Sequence, residues 1–136
     1  ETLSALGLTM DGDVGPGGGQ EFGEDGNDLI AGNSGNDLLS GGRGNDFENG
    51  GTGNDSLHGG DGKDHLDGSD GADTESGDAG DDDIKGGAGD DHLDGGEGVD
   101  DEDGGEGADT VVKDGTDHVE HDGHDTEVES GGGGGN

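Results

Sequence analysis

Between residues 30 and 111 an apolar side chain returns at multiples of nine: Ile30, Leu39, Leu57, Leu66, Ile84, Leu93 and Val111. Most sit in a polar tripeptide, as in "SLH" (56–58), "HLD" (65–67) and "DIK" (83–85). Three residues are too few for a helix, but they suit a short strand with the middle side chain on one face and its neighbours on the other. The six residues between tripeptides, as in "GGTGND" (50–55), are turn chemistry: Gly reaches positive φ freely, and Asn and Asp tolerate it best among the rest. A turn and a three-residue strand bury nothing alone. Stacked coils do, with the eighth-position residues lining a thin core, so the pattern predicts an all-β chain, a parallel β-solenoid.

The repeat is regular enough to fix boundaries. Ten uninterrupted nonapeptides run from Gly23 to Val112; positions one and four are Gly and position six is Asp in all ten, and position two is Gly in six. Two further units, "KDGTDHVE" (113–120) and "HDGHDTEV" (121–128), are each one residue short but keep Gly115, Gly123, Asp117 and Asp125. This predicts a solenoid over 23–128 with two degenerate terminal repeats. Residues 1–22, with "GPGGG" at 15–19, read as a linker or irregular N-terminal segment, and 129–136, "ESGGGGGN", as a flexible Gly-rich tail.

Composition changes the picture. Only 19% of the 136 residues are hydrophobic, 39 are Gly, and 38 acids face 4 basic residues for a formal charge of −34. Such a chain buries too little to offset a backbone entropy of roughly 1–2 kcal/mol per ordered residue. Either it stays unfolded or something else neutralises the charge and supplies folding free energy. No Cys is present, which removes disulfides. The charge argues against nucleic acid and anionic lipid as partners, and no apolar run is long enough for membrane insertion. The start, "ETLSALGLTM", lacks the basic and apolar regions of a secretory signal.

The recurrent Asp supplies what is missing. A Gly-rich turn exposes carbonyl oxygens, and a carboxylate returns beside them every nine residues. An oxygen-only set in flexible geometry suits a hard cation with many ligands, Ca2+ rather than Mg2+ or Zn2+. The cation also relieves repulsion between stacked carboxylates, roughly 3 kcal/mol per pair at about 5 Å and an effective dielectric near 20.

"GGTGNDSLH" (50–58) and its neighbours resemble GGxGxDxUx, the nonapeptide of the repeats-in-toxin (RTX) calcium-binding β-roll family. The resemblance is strong over 23–112 and weak over 113–128. It implies a β-roll with two nonapeptides per turn and a row of Ca2+ along each edge, held by sixth-position Asp and turn carbonyls of successive coils. Carried over, the metal ligands are Asp28, Asp37, Asp46, Asp55, Asp64, Asp73, Asp82, Asp91, Asp100 and Asp109, with Asp117 and Asp125 in the degenerate units. It further implies multiple calcium ions as cofactor, no enzyme activity, folding on calcium binding, and a secreted, extracellular setting reached by type I export.

The eighth position breaks its rule at Glu48, Glu75 and Glu102, 27 residues apart; Glu21 extends the series backwards and Glu127 holds the same slot in the last unit. Three readings compete: a duplicated or designed 27-residue unit whose Glu face water or lie near coil ends; Glu placed to weaken the core and steepen calcium dependence; or a three-sided coil with all Glu in one column. The family match favours the two-sided roll, in which each Glu stands alone between apolar neighbours. "HVEHDGHD" (118–125) brings three His together, but a strand and turn do not hold that spacing on one face, so surface decoration is the expectation. Pairs such as Asp100/Asp101 suggest glycosidase carboxylates only until one notes that no Trp or Tyr exists to hold a sugar. GxGxxG-like fragments lack a strand–helix context. Other roles stay open: a spacer or adhesin stalk, a carbohydrate-binding module of a secreted enzyme, an engineered repeat, and end-to-end self-association through the uncovered coil ends.

Overall fold

Strands form where the apolar positions fall, and most are longer than the tripeptide pattern predicts. The computed structural model describes residues 9–11, 18–120 and 123–129. Its strands alternate between two sheets. One holds β1 (Thr9–Asp11), β3 (Leu29–Ala31), β5 (Phe47–Thr52), β7 (His65–Asp70), β9 (Asp83–Ala88), β11 (Asp101–Glu106) and β13 (His118–Glu120), in that order. The other holds β2 (Gln20–Phe22), β4 (Leu38–Arg43), β6 (Ser56–Asp61), β8 (Thr74–Ala79), β10 (His92–Asp94), β12 (Thr110–Lys113) and β14 (Thr126–Glu129). Every pairing is parallel, and partners in the regular part are 18 residues apart, as in Phe47 with His65 and His65 with Asp83. The chain is therefore a two-sided β-roll with two nonapeptides per coil.

The added length comes from the glycine pair. Ladder hydrogen bonds continue past the tripeptide: the Gly23 amide donates to the Ser40 carbonyl at 2.8 Å, and the Arg43 amide to the Glu24 carbonyl at 2.6 Å. The bend is left to positions four to six. There Gly53 holds φ 122°, and a side chain would run into the Gly35 carbonyl one coil back. Only glycine allows coils to approach that closely.

Strands β1 and β2 precede Gly23, so both sheets begin upstream of the first regular repeat. Most of "GPGGG" and, apart from Glu129, the Gly-rich tail lie outside the described residues.

The interior is thin. Ile30, Leu39, Leu57, Leu66, Ile84, Leu93 and Val111 are fully buried, with Val119 packed against them. Glu48, Glu75 and Glu102 are fully buried beside them. No other large apolar side chain is buried among the described residues, so hydrocarbon contributes little to holding two seven-stranded sheets together.

Candidate metal centre

Each nonapeptide turn carries its sixth-position Asp to one edge of the roll, and two nonapeptides per coil sort these residues into two rows. One row is Asp28, Asp46, Asp64, Asp82, Asp100 and Asp117. In it each amide donates to the Oδ1 of the next Asp along, at 2.7, 2.7, 2.8, 2.8 and 3.1 Å in turn. The other is Asp37, Asp55, Asp73, Asp91, Asp109 and Asp125, linked at 2.8, 2.6, 2.8, 2.8 and 3.1 Å, with the Gly19 amide on Asp37. All twelve Asp singled out in the sequence thus fall into two rows. The regular ten are buried, at 1–3% exposure. Asp117 and Asp125 are half-buried and reach their rows across steps of 17 and 16 residues.

The second carboxylate oxygen distinguishes these groups from capping residues. Oδ2 of Asp37, Asp46, Asp55, Asp64, Asp73, Asp82, Asp91 and Asp100, and both oxygens of Asp28, are buried with no hydrogen-bond partner. Each Oδ2 is turned inward against the position-one glycine; at Gly50 an added Cβ would stand 2.5 Å from Asp55 Oδ2. A buried carboxylate oxygen without a donor carries a desolvation cost that a cation removes.

Electrostatics agree. Burial, first, and the charges of neighbouring rungs raise the pKa values of the rows against the lowering effect of the donated amides: Asp64 to about 6, Asp73 to about 7 and Asp82 to about 7. Asp91 and Asp100 rise to about 6, burial again leading. The charged form is disfavoured along the rows, which is the condition a bound cation reverses.

Among the described residues no three carboxylate or imidazole groups converge on one point. A cation at these edges must take most of its oxygens from the backbone. The turns provide for that: the position-four carbonyls stack coil upon coil, those of Gly26, Gly44, Gly62 and Gly80 each facing the position-four glycine of the next coil. One carboxylate per turn with surrounding carbonyls fits the oxygen-rich, irregular shell of Ca2+.

A second ladder runs beside the first and escaped the sequence reading. Position five is Asn or Asp in six of the ten regular repeats. Each of these side chains accepts the position-five amide of the next coil: Asn45 on Asn27 at 2.8 Å, Asn54 on Asn36 at 2.9 Å, Lys63 on Asn45 at 2.9 Å and Ala72 on Asn54 at 3.0 Å. Val99 on Asp81 and Ala108 on Asp90, both at 3.0 Å, complete the set. The signal was there, as an Asn/Asp excess at one slot beside an invariant Asp.

The Glu series does not form one column, and the three-sided coil is excluded. Nor do Glu48, Glu75 and Glu102 face water: all three are fully buried. Glu48 lies between Ile30 and Leu66 in one sheet, Glu75 between Leu57 and Leu93 in the other, and Glu102 between Ile84 and Val119 back in the first. Burial, above all, pushes Glu48 and Glu102 up to about 8, against the amides of Gly41 and Gly95. Glu75 is raised well above its ordinary range by burial and by Asp91 and Asp73. The Gly68 amide faces Glu75 without making a hydrogen bond of normal geometry. Towards the ends the slot opens: Glu21 is half-buried, and Glu127 is exposed and pairs with Lys113 at 2.7 Å.

His118 and His124 are exposed, and His118 lies 3.6 Å from Glu120 Oε1. His121 lies outside the described residues.

A family model for the RTX calcium-binding nonapeptide repeat matches residues 22–48, 49–75 and 76–111. No curated protein and no solved structure gives a significant match.

Proposed function

The chain belongs to the RTX calcium-binding nonapeptide repeat family, and from that premise we propose that calcium binding along its two Asp rows is what folds it. The single observation carrying this is the line of buried carboxylates on each edge, in which Asp46, Asp64, Asp82 and Asp100, and opposite them Asp37, Asp55, Asp73 and Asp91, have Oδ1 on a neighbouring amide and Oδ2 on nothing. Asp28, Asp46, Asp64, Asp82, Asp100 and Asp117 hold calcium on one edge, and Asp37, Asp55, Asp73, Asp91, Asp109 and Asp125 on the other, with turn carbonyls as co-ligands. Bound calcium supplies positive charge between rungs whose carboxylates otherwise repel. The chain's own residues set the spacing, exclude water from Oδ2 and leave the backbone close enough to coordinate.

Metal-binding free energy is then folding free energy. A chain of charge −34 with so small an apolar interior remains expanded where calcium is scarce and becomes a rod where it is plentiful. This supports an extracellular role, in which the chain crosses a secretion channel unfolded and sets outside. The module is structural rather than catalytic. The end strands β1, β2, β13 and β14 each have one neighbour among the described residues, which supports end-to-end association once calcium has removed the repulsion between copies.

Calcium titration followed by circular dichroism and small-angle scattering tests the reading. Sheet signal and compaction should rise together, cooperatively, and reverse on chelation. A chelated sample as compact and sheet-rich as the loaded one overturns it.

A further inference from the structure

In every regular repeat the position-one glycine is pressed against the Oδ2 of its own sixth-position Asp, as at Gly50 with Asp55 and Gly59 with Asp64. In seven repeats the eighth position is apolar. In three it is Glu. The Gly41 amide donates to Glu48 Oε1 at 2.8 Å, and the Gly95 amide to Glu102 Oε1 at 2.7 Å. The same glycines pack against Asp46 Oδ2 and Asp100 Oδ2. Each therefore stands beside two buried carboxylates, hydrogen-bonded to one by its amide and leaving no room for a side chain against the other.

The remaining oxygens of these pairs accept no hydrogen bond of normal geometry, although the His58 amide faces Glu48. Glu48 Oε2 and Asp46 Oδ2 are buried and unpartnered, as are Glu102 Oε2 and Asp100 Oδ2. Around Gly68, which packs on Asp73 Oδ2, the deficit is larger: both oxygens of Glu75 and Asp73 Oδ2 lack a donor.

We propose that Asp46 with Glu48, Asp73 with Glu75, and Asp100 with Glu102 form a second class of cation site, interior to the turn, each holding one Ca2+. This rests on the reading that the edge rows bind calcium, and it divides the bound ions into two populations. A single proton shared within a pair would bridge two oxygens but cancel only one charge, and would leave one oxygen bare at the Asp73–Glu75 pair. A divalent cation balances the Glu charge and satisfies the bare Glu oxygens, sharing the inward-turned Asp Oδ2 with the edge ion, and hard oxygen donors select calcium over softer metals. The series of 27 residues then has a role: it places a doubly acidic site once in every three repeats, alternating between the two edges.

The experiment is a count of bound calcium by isothermal titration calorimetry and by equilibrium dialysis, on the full chain and on E48Q/E75Q/E102Q. Glutamine keeps an oxygen for the Gly41 and Gly95 amides and removes the charge. The variant should reach the same calcium-loaded circular dichroism spectrum with three fewer ions per chain. An unchanged ion count overturns the proposal and assigns these carboxyls to protons. If the triple variant does not fold, E75Q alone should bind one ion fewer, and an unchanged count there is equally decisive. A parent chain that binds no calcium at all brings down the reading of the edge rows as well.

Discussion

The backbone amide of Asp46 donates to the side chain of Asp64 one coil further on, at 2.7 Å, so Asp64 serves as hydrogen-bond acceptor for its neighbour as well as candidate ligand. The two duties separate by substitution. D64N retains an acceptor for the Asp46 amide and loses the charge; D64A loses both and strands a buried amide at a cost of about 1–3 kcal/mol. Both variants should need more calcium at the midpoint of a circular dichroism titration and show a shallower transition. At saturating calcium D64A should also melt below D64N. Equal melting points would mean that the Asp46–Asp64 bond contributes nothing, and an unmoved midpoint in D64N would remove Asp64 from the ligand set.

The buried carboxyls give the calcium-free chain a definite response to acid. Glu48 and Glu102 rise from an ordinary 4.5 to about 8 in the folded state, and Asp73 and Asp82 from 3.8 to about 7, burial being the first cause in each. Between those limits the folded chain binds more protons than the unfolded chain, so its stability falls as pH rises. The contribution is fully present below about pH 4 and is lost as the pH passes the folded-state values, from about 7 to about 8. In calcium-free buffer, sheet content should therefore grow as the pH is lowered from 8 to 5. Growth in the opposite direction would show that these groups are ionised in the folded chain.

The period made the rows legible. A fixed Asp every nine residues must fall on one line per edge once two repeats close a coil, and Asp117 and Asp125 follow because their short units keep the same Gly-to-Asp spacing. Strand length was hidden because Gly41 and Gly42 read as turn by their own preference, whereas hydrogen bonds from adjacent coils extend them. Position-five Asn read as generic turn chemistry; its partner lies 18 residues away and no local rule finds it. The Glu series was ambiguous for a numerical reason: a spacing of 27 in a coil of 18 is one and a half turns, which sends Glu48 and Glu75 to opposite sheets. Hydropathy places Glu in water, and only the fold puts it inside.

Backbone strain marks where the repeat departs from glycine. Glu24 and Ser69 occupy position two with φ of 77° and 78°, in the region glycine fills elsewhere. A left-handed conformation costs a non-glycine residue roughly 1–2 kcal/mol. Ser69 recovers part of this by donating to Asp67 Oδ1 at 3.1 Å; Glu24 has no such bond among the described contacts. E24G should raise the melting temperature of the calcium-loaded roll, and S69G should raise it less. The reverse change, G51A, combines φ 100° with a collision against the Asn33 carbonyl and should lower it sharply. Differential scanning calorimetry at fixed calcium ranks the three, and a melting temperature lowered by E24G would contradict the account.

The position-five ladder is broken at Lys63, Ala72, Val99 and Ala108, none of which carries a side-chain oxygen. Behind Ala72 the next amide on that edge belongs to Asp90, whose own side chain is intact and accepts from Ala108 at 3.0 Å. A72N restores the pattern that Asn54 makes with the Ala72 amide, in a turn whose backbone already carries Asn at the same slot in four other repeats. An exposed neutral hydrogen bond of this kind is worth about 0.5–1.5 kcal/mol. The converse, N45A, removes the acceptor of the Lys63 amide and should cost a similar amount. Neither side chain belongs to the proposed ligand rows. Calcium-loaded melting temperatures should therefore rise in A72N and fall in N45A while the number of ions bound stays fixed. A changed ion count in either variant would move position five from scaffolding into the metal shell.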